Sequence, residues 1–217
     1  MRRRESEPER VILVHGLART ARSMNRLGRV LEQQGYTVYN LAYPSRRYPV
    51  AELSARYLAP LVDTLLGAAK IHFVTHSLGG ILVRHYLAGN RPANLGRVVM
   101  LAPPNKGSEI VDRLGHTWWF KCINGPAGSE LGTDEKSVPR SLGPANFPLG
   151  IIAGDRSLDP CALFLPRPND GKVSVASTRL DGMTDFRVVP HGHTFLMNRA
   201  AVVGEICCFL RRGRFSR

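Results

Sequence analysis

The chain has 217 residues, 43% of them hydrophobic, which suits one domain with a substantial core and leaves no apolar stretch long enough to cross a membrane. The formal net charge is +13, a field that would attract anionic membranes, acidic substrates or nucleic acid. The arginines are nevertheless spread, with small clusters only at the ends (Arg2 to Arg4; Arg211, Arg212, Arg214 and Arg217), and no nucleic-acid motif is visible, so a solvated basic surface is expected first, weak attraction to an anionic membrane surface second, and nucleic acid last.

Met1-Arg2-Arg3-Arg4 is a basic start, but Glu5, Ser6, Glu7, Pro8 and Glu9 follow it where an export signal needs an apolar segment. A cytoplasmic location is expected. Arg10 to Val14 is a short apolar run, as expected for a buried parallel strand, and it closes in His15-Gly16-Leu17. Met24, Leu27, Val30 and Leu31 fall at helical spacing, and Gly35 ends that helix. Tyr36 to Leu41 reads as the next strand. The loop after it, Tyr43 to Arg47, opens at a strand's carboxyl end, so it either lines a crevice or packs on the surface. Leu53, Tyr57, Leu58, Leu61, Val62 and Leu65 mark a second amphipathic helix.

Ile71-His72-Phe73-Val74-Thr75-His76-Ser77-Leu78-Gly79-Gly80 organises the chain. A β-favouring run ends at a serine, two glycines follow, and an amphipathic run continues from Ile81 to Leu87. Strand, sharp turn and helix in that order hold the Ser77 hydroxyl over the end of a sheet, at the positive end of the helix. Arg97 to Leu101 is the next strand, leaving through Ala102-Pro103-Pro104. The alternation of strand and helix predicts a parallel sheet wrapped by helices.

From Asn105 to Pro148 the rhythm breaks. The segment is rich in Gly, Pro and Ser and carries Trp118, Trp119 and Phe120. It is either a small cap whose aromatics line a pocket or an irregular excursion whose aromatics pack down; adjacent tryptophans more often anchor, which favours packing. Leu149 to Asp155 is another strand and turn. Asn169-Asp170-Gly171-Lys172-Val173 follows, then a last strand from Asp185 to Pro190 and the loop His191-Gly192-His193-Thr194-Phe195. A helix through Val202, Val203, Ile206 and Phe209 ends the chain. Cys122, Cys161, Cys207 and Cys208 have no metal-ligand spacing and read as free thiols. No repeat or linker is visible, and residues 1–217 are read as a single domain with 105–148 as its insertion.

A serine hydroxyl attacks only when a base removes its proton, and a histidine does this best when a carboxylate fixes its tautomer. Ser77 comes first in the chain, an acidic loop follows the penultimate strands, and a histidine loop follows the last strand. His193 leads over His191 because Gly192 frees its approach and Thr194 and Phe195 begin the helix behind it. Asp170 leads for the acid, with Asp159 as runner-up. Asp155, Asp181 and Asp185 read as turn or capping residues.

Together, His-Gly after the first strand, Thr-His-Ser-Leu-Gly-Gly at the turn, Asp-Gly-x-Val with Arg179-Leu180-Asp181-Gly182 after it, and the Gly-His loop resemble the small bacterial lipases and esterases of the minimal α/β-hydrolase type. The resemblance spans roughly residues 10 to 210 by chain order. It implies the α/β-hydrolase fold: a mostly parallel sheet flanked by helices, with a small cap after the strand that follows the nucleophile helix. It implies Ser77 as nucleophile, Asp170 as acid, His193 as base, and the backbone amides of Leu17 and Leu78 as the oxyanion hole. It implies an ester or lipid substrate and no cofactor. Thr75 departs from the Gly-x-Ser-x-Gly pattern, with Gly79 and Gly80 leaving it room. The long insertion from Asn105 leaves the substrate open. The same triad could serve an amidase, a thioesterase or an acyltransferase, and a silent member of the fold could be a binding protein.

Overall fold

The computed structural model describes residues 7–67 and 69–216. The basic start Met1 to Arg4 and the terminal Arg217 lie outside the described residues. Six strands form one parallel sheet: β1 (Arg10–Val14), β2 (Thr37–Leu41), β3 (Ile71–His76), β4 (Leu95–Leu101), β5 (Leu149–Gly154) and β6 (Asp185–Val189). Their order across the sheet is β2-β1-β3-β4-β5-β6. Alternate residues of each central strand enter opposite core layers, and both layers are apolar.

Nine α-helices accompany the sheet among the described residues: α1 (Asn25–Gln33), α2 (Val50–Leu53), α3 (Ala59–Asp63), α4 (Leu78–Gly89), α5 (Glu109–Leu114), α6 (Trp118–Ser129), α7 (Val138–Ser141), α8 (Val175–Thr178) and α9 (Ala200–Arg212). α2 and α3 are one amphipathic run joined by a wider turn, Ser54–Leu58. Pro60 has no N–H to offer the Arg56 carbonyl, and the widening lies just ahead of it. On one face α2, α3 and α4 cover Ile12, Val14, Ile71 and Phe73. On the other α1 and α9 cover Val11, Leu13, Val74 and Val99. Fully burying such a side chain contributes about 1.5–3 kcal/mol.

The order β2-β1-β3 positions the site. β1 and β3 are neighbours, with Val14 level with Thr75. The helix after β1 packs on one face and the helix after β3 on the other. Chains that leave adjacent strands in opposite directions open a crevice at the strands' carboxyl ends. His15-Gly16-Leu17 and Ser77 stand on its two sides.

Two expectations need correction. Residues 105–148 are not irregular, since α5, α6 and α7 occupy much of them. Their Gly and Pro fall at helix ends and kinks: Gly125 (φ 67°) and Pro126 break α6, Pro139 starts α7, and Gly143 (φ 67°) follows it. The helix expected from Thr194 and Phe195 is also shorter and tighter than an α-helix. His193–Asn198 is a tighter 3₁₀ turn in which Phe195 leaves helical geometry, and α9 begins at Ala200.

Candidate active site

Ser77 sits between β3 and α4 with φ 51° and ψ −122°. This is the left-handed half of the map, which costs a residue with a side chain on the order of 1–3 kcal/mol. The turn is held from both sides: the Ser77 amide donates to the Leu101 carbonyl (2.9 Å), and the Ser77 carbonyl accepts from the Gly80 amide (2.9 Å). Bare backbone surrounds it. A Cβ on Gly16 would lie 2.8 Å from His76 Nδ1 and 3.1 Å from Ser77 Cβ. Thr75 fits for a related reason, because a Cβ on Gly80 would lie 3.3 Å from Thr75 Oγ1.

His193 and Asp170 come together. His193 Nδ1 lies 2.7 Å from Asp170 Oδ2, and Asp170 is 1% exposed. The other oxygen of Asp170 accepts from the amides of Lys172 (2.9 Å) and Val173 (2.8 Å), and its carbonyl accepts from the His193 amide (3.0 Å). A carboxylate oxygen facing Nδ1 makes that nitrogen the donor and leaves Nε2 free to take a proton. Gly154, at the end of β5, lets the two loops meet. A Cβ there would lie 2.2 Å from the His191 carbonyl oxygen and 2.9 Å from Asp170 Cβ.

Asp159 lies beside the Asp170 loop but is bonded to other partners. Its carboxylate pairs with Lys172 Nζ (2.9 Å) and accepts from the Cys161 amide (2.9 Å). Burial opposes the charge on both partners, but these bonds outweigh it: the Asp159 carboxyl is held below its usual range and the Lys172 ammonium above its own. His191 is half-buried on a neighbouring cleft of about 1110 Å³, which shares His193 and Thr194 with the site. Asp185 opens β6 and accepts from the Phe215 amide (2.7 Å).

Ser77, His193 and Leu17 line one cavity of about 360 Å³. Its apolar wall comes largely from α5 and α6, with Ile110, Val111, Leu114 and Phe120 among the lining residues. Trp119 borders it, whereas Trp118 is 76% exposed, so the aromatics do not simply pack down. Among the described residues, neither the Leu17 nor the Leu78 amide donates to a backbone carbonyl outside the regular elements. The turn that carries Leu17 is braced by the loop after β2. There the Tyr43 hydroxyl donates to the His15 carbonyl (2.6 Å), and Ser45 Oγ accepts from the Ala18 amide (3.1 Å). Of the two roles considered for that loop, the structure gives it packing. His15 stacks on Tyr43 with ring centroids 4.2 Å apart.

Two buried residues escape a reading of the sequence. His76 Nε2 donates to the His193 carbonyl (3.0 Å), so the residue before Ser77 supports the histidine loop from beneath. Arg84, in α4, donates to the Asn105 backbone and side-chain oxygens (3.1 and 3.2 Å) and to the Gly143 carbonyl (2.8 Å). It thereby ties both ends of the 105–148 segment to the helix headed by Ser77, and burial pushes its guanidinium down to about 10. Only the contacts themselves reveal these jobs.

His15, His72 and His76 are all held below the ordinary histidine value of 6.5, first by burial. The folded chain therefore resists protons that the unfolded chain takes up. Stability should be full above about pH 6.5 and fall below it, by at most about 1.4 kcal/mol per pH unit for each histidine kept neutral. Thermal unfolding between about pH 8 and about pH 5 checks this. A midpoint that did not fall on the acid side would contradict it.

Among the described residues, no group of three or more His, Cys, Asp or Glu is placed to hold a metal ion. No helix of the described residues is long and apolar enough to cross a membrane.

The architecture is shared with solved structures at low identity. Lipase BlEst2 of Bacillus licheniformis, in its mature form, superposes with a TM-score of 0.66 at 18% identity, over 96% of this chain and 93% of that one. Phospholipase PlaB from Legionella pneumophila gives 0.68 at 17%, over 96% of this chain and 60% of that one. The metagenomic carboxyl esterase MGS0156 gives 0.66 at 20%, over 87% and 65%. No curated protein matches the sequence. The model of the alpha/beta hydrolase family matches residues 11–198, from the first strand to beyond His193. With that match over most of its length, and with the six-stranded parallel sheet flanked by helices, this chain belongs to the alpha/beta hydrolase family.

Proposed function

We propose that this chain cleaves carboxylic esters through an acyl-enzyme on Ser77. The observation that carries the reading is the 2.7 Å contact of Asp170 with His193 at the wall of the cavity that Ser77 also lines. In the proposed cycle His193 Nε2 takes the Ser77 proton as the hydroxyl attacks the ester carbonyl, and then returns it to the leaving alcohol. Asp170 holds the imidazole in the required tautomer. The amides of Leu17 and Leu78 receive the oxyanion, which strengthens their bonds in the transition state. A water activated by His193 then releases the acid. None of these steps needs a cofactor. The described chain acts as one unit in this reading, with 105–148 as the cap that walls the acyl site.

Structural relatives named as lipases and an esterase make an ester the first substrate to test. The cavity, about 360 Å³, is at the lower end of small-molecule sites, which run from about 300 to 1,000 Å³. Across p-nitrophenyl esters from acetate to palmitate, kcat/KM should therefore peak between butyrate and octanoate. A maximum at palmitate would mean that the acyl chain lies outside this cavity. A fluorophosphonate should label the protein, with the adduct mapping to the peptide that carries Ser77. A folded protein that neither turned over any ester nor took the label would overturn the reading.

A further inference from the structure

Exposed large apolar side chains are not scattered over this protein. Nine are exposed among the described residues, and all but Leu66 and Val188 fall in three short stretches. Trp118, Trp119 and Ile123 lie on α6, Leu158, Leu163 and Phe164 follow β5, and Phe195 follows His193. Trp119 and Ile123 border the cavity that holds Ser77, and Leu158 and Phe195 border the cleft beside it. The two openings meet at His193 and Thr194. Trp118 and Leu163 are each 76% exposed and line neither. Apolar surface gathered at the mouth of a site marks an interaction surface.

The charge around it is mixed but basic on balance: Arg156, Arg167 and Arg199 line the cleft with Asp155 and Asp159, and Arg19 and Lys172 line the cavity. From Arg113 to Ile123 there are two cations, Arg113 and Lys121, and no acid. The Arg19 guanidinium lies 5.6 Å from the Phe195 ring and donates to the Thr194 carbonyl (3.2 Å). The Arg113 guanidinium lies 5.9 Å from the Phe164 ring, and Arg46 Nη1 donates to the Ile123 carbonyl (3.3 Å). Tryptophan and leucine set among arginines and lysines are what an anionic lipid surface takes up: the rings enter the interface while the cations stay at the headgroups. An acidic protein would be met by the cations but would leave Trp118 and Leu163 in water.

We propose that the rim of the cavity mouth is a docking surface for an anionic lipid bilayer. The inference rests on the hydrolase reading only for what the docked cavity then does. Docking would present Ser77 to esters drawn from the lipid, with no need for them to cross water.

Both tryptophans of the chain lie in this rim, so intrinsic emission reports on it directly. The probe is Ser77→Ala protein mixed with phosphatidylcholine vesicles, with or without phosphatidylglycerol. The emission should shift to the blue and the protein should co-sediment with the anionic vesicles, binding neutral ones about tenfold more weakly. Trp118→Ser with Leu163→Ser should weaken anionic binding about tenfold, since both contribute apolar area to the interface. The same two changes in the Ser77 enzyme should leave hydrolysis of a soluble short-chain ester unaltered. Absence of a shift with any vesicle would overturn the proposal, as would binding that the double variant leaves intact, because the net charge alone would then explain it. A self-associated protein that becomes monomeric with the same changes would assign the rim to a second copy. An active enzyme that ignores vesicles counts against docking alone, and a vesicle-bound but inactive one counts against the hydrolase reading alone.

Discussion

Replacing Ser77 by alanine should lower kcat on a p-nitrophenyl ester about a millionfold, the scale on which a serine hydrolase loses its nucleophile. Asp170→Asn should cost about ten-thousandfold. The reason lies in the proton on the imidazole. Asp170 Oδ2 faces His193 Nδ1 at 2.7 Å and can only accept there. An amide nitrogen in that place would donate, so the proton would move to Nε2, and His193 would face the serine with nothing to accept with. The asparagine oxygen can still take the Lys172 and Val173 amides, so the fold should survive. Asp159→Asn is the control, because its carboxylate serves Lys172 and the Cys161 amide. Its kcat should stay within about threefold of wild type, since a part-exposed pair of that kind contributes on the order of 1 kcal/mol or less and the Asp159 carboxylate is bonded to Lys172 and the Cys161 amide rather than to His193. Steady-state kinetics of the three variants, each checked for its thermal midpoint, tests the assignment. Equal losses in Asp170→Asn and Asp159→Asn would sink it.

The order of these variants also shows where the sequence is informative. β3, the turn and α4 are legible because a β-favouring run, a serine, two glycines and a helical apolar run follow one another within twenty residues or so, and each has a local cause. The parallel sheet follows from the same local signals repeated. Choosing Asp170 over Asp159 rests on a motif in the sequence, and the geometry that separates them is not local. It depends on Gly154 giving room to two loops and on Lys172 capturing Asp159. His76 and Arg84 are less legible still. One supports a carbonyl 117 positions away, and the other holds the two ends of an insertion, so nothing beside them in the chain marks the role. Residues 105–148 read as irregular in the sequence because their glycines and prolines suggest loop when counted together, whereas they punctuate helices when placed one by one.

Gly79→Ala should damage both stability and activity. A Cβ there would lie 2.4 Å from the Val14 carbonyl oxygen and 2.8 Å from the His15 carbonyl oxygen. Both belong to the backbone at the end of β1, which is paired on each side by β2 and β3 and cannot withdraw. The elbow must therefore lift away from β1. The overpacking should cost about 3 kcal/mol, at the upper end of such changes. Activity should fall further than stability accounts for, because His15 leads into Leu17 while Gly79 follows Leu78, so the clash separates the two amides proposed to hold one oxyanion. A displacement of about 1 Å at such a site costs on the order of a hundredfold in kcat. Gly80→Ala is the comparison that isolates the cause. Its Cβ would meet side-chain atoms, Pro103 Cβ at 3.0 Å, Met100 Sδ at 3.3 Å and Thr75 Oγ1 at 3.3 Å. A thioether can rotate aside, so about 1 kcal/mol and less than a tenfold loss of kcat are expected there. Gly89→Ala, with nothing within 4 Å of its Cβ, should be neutral or slightly stabilising. Thermal midpoints and kcat for the three variants give the answer together. If Gly79→Ala behaved like Gly80→Ala in both, the contact between the elbow and β1 would not be what holds Ser77 and the two amides in place.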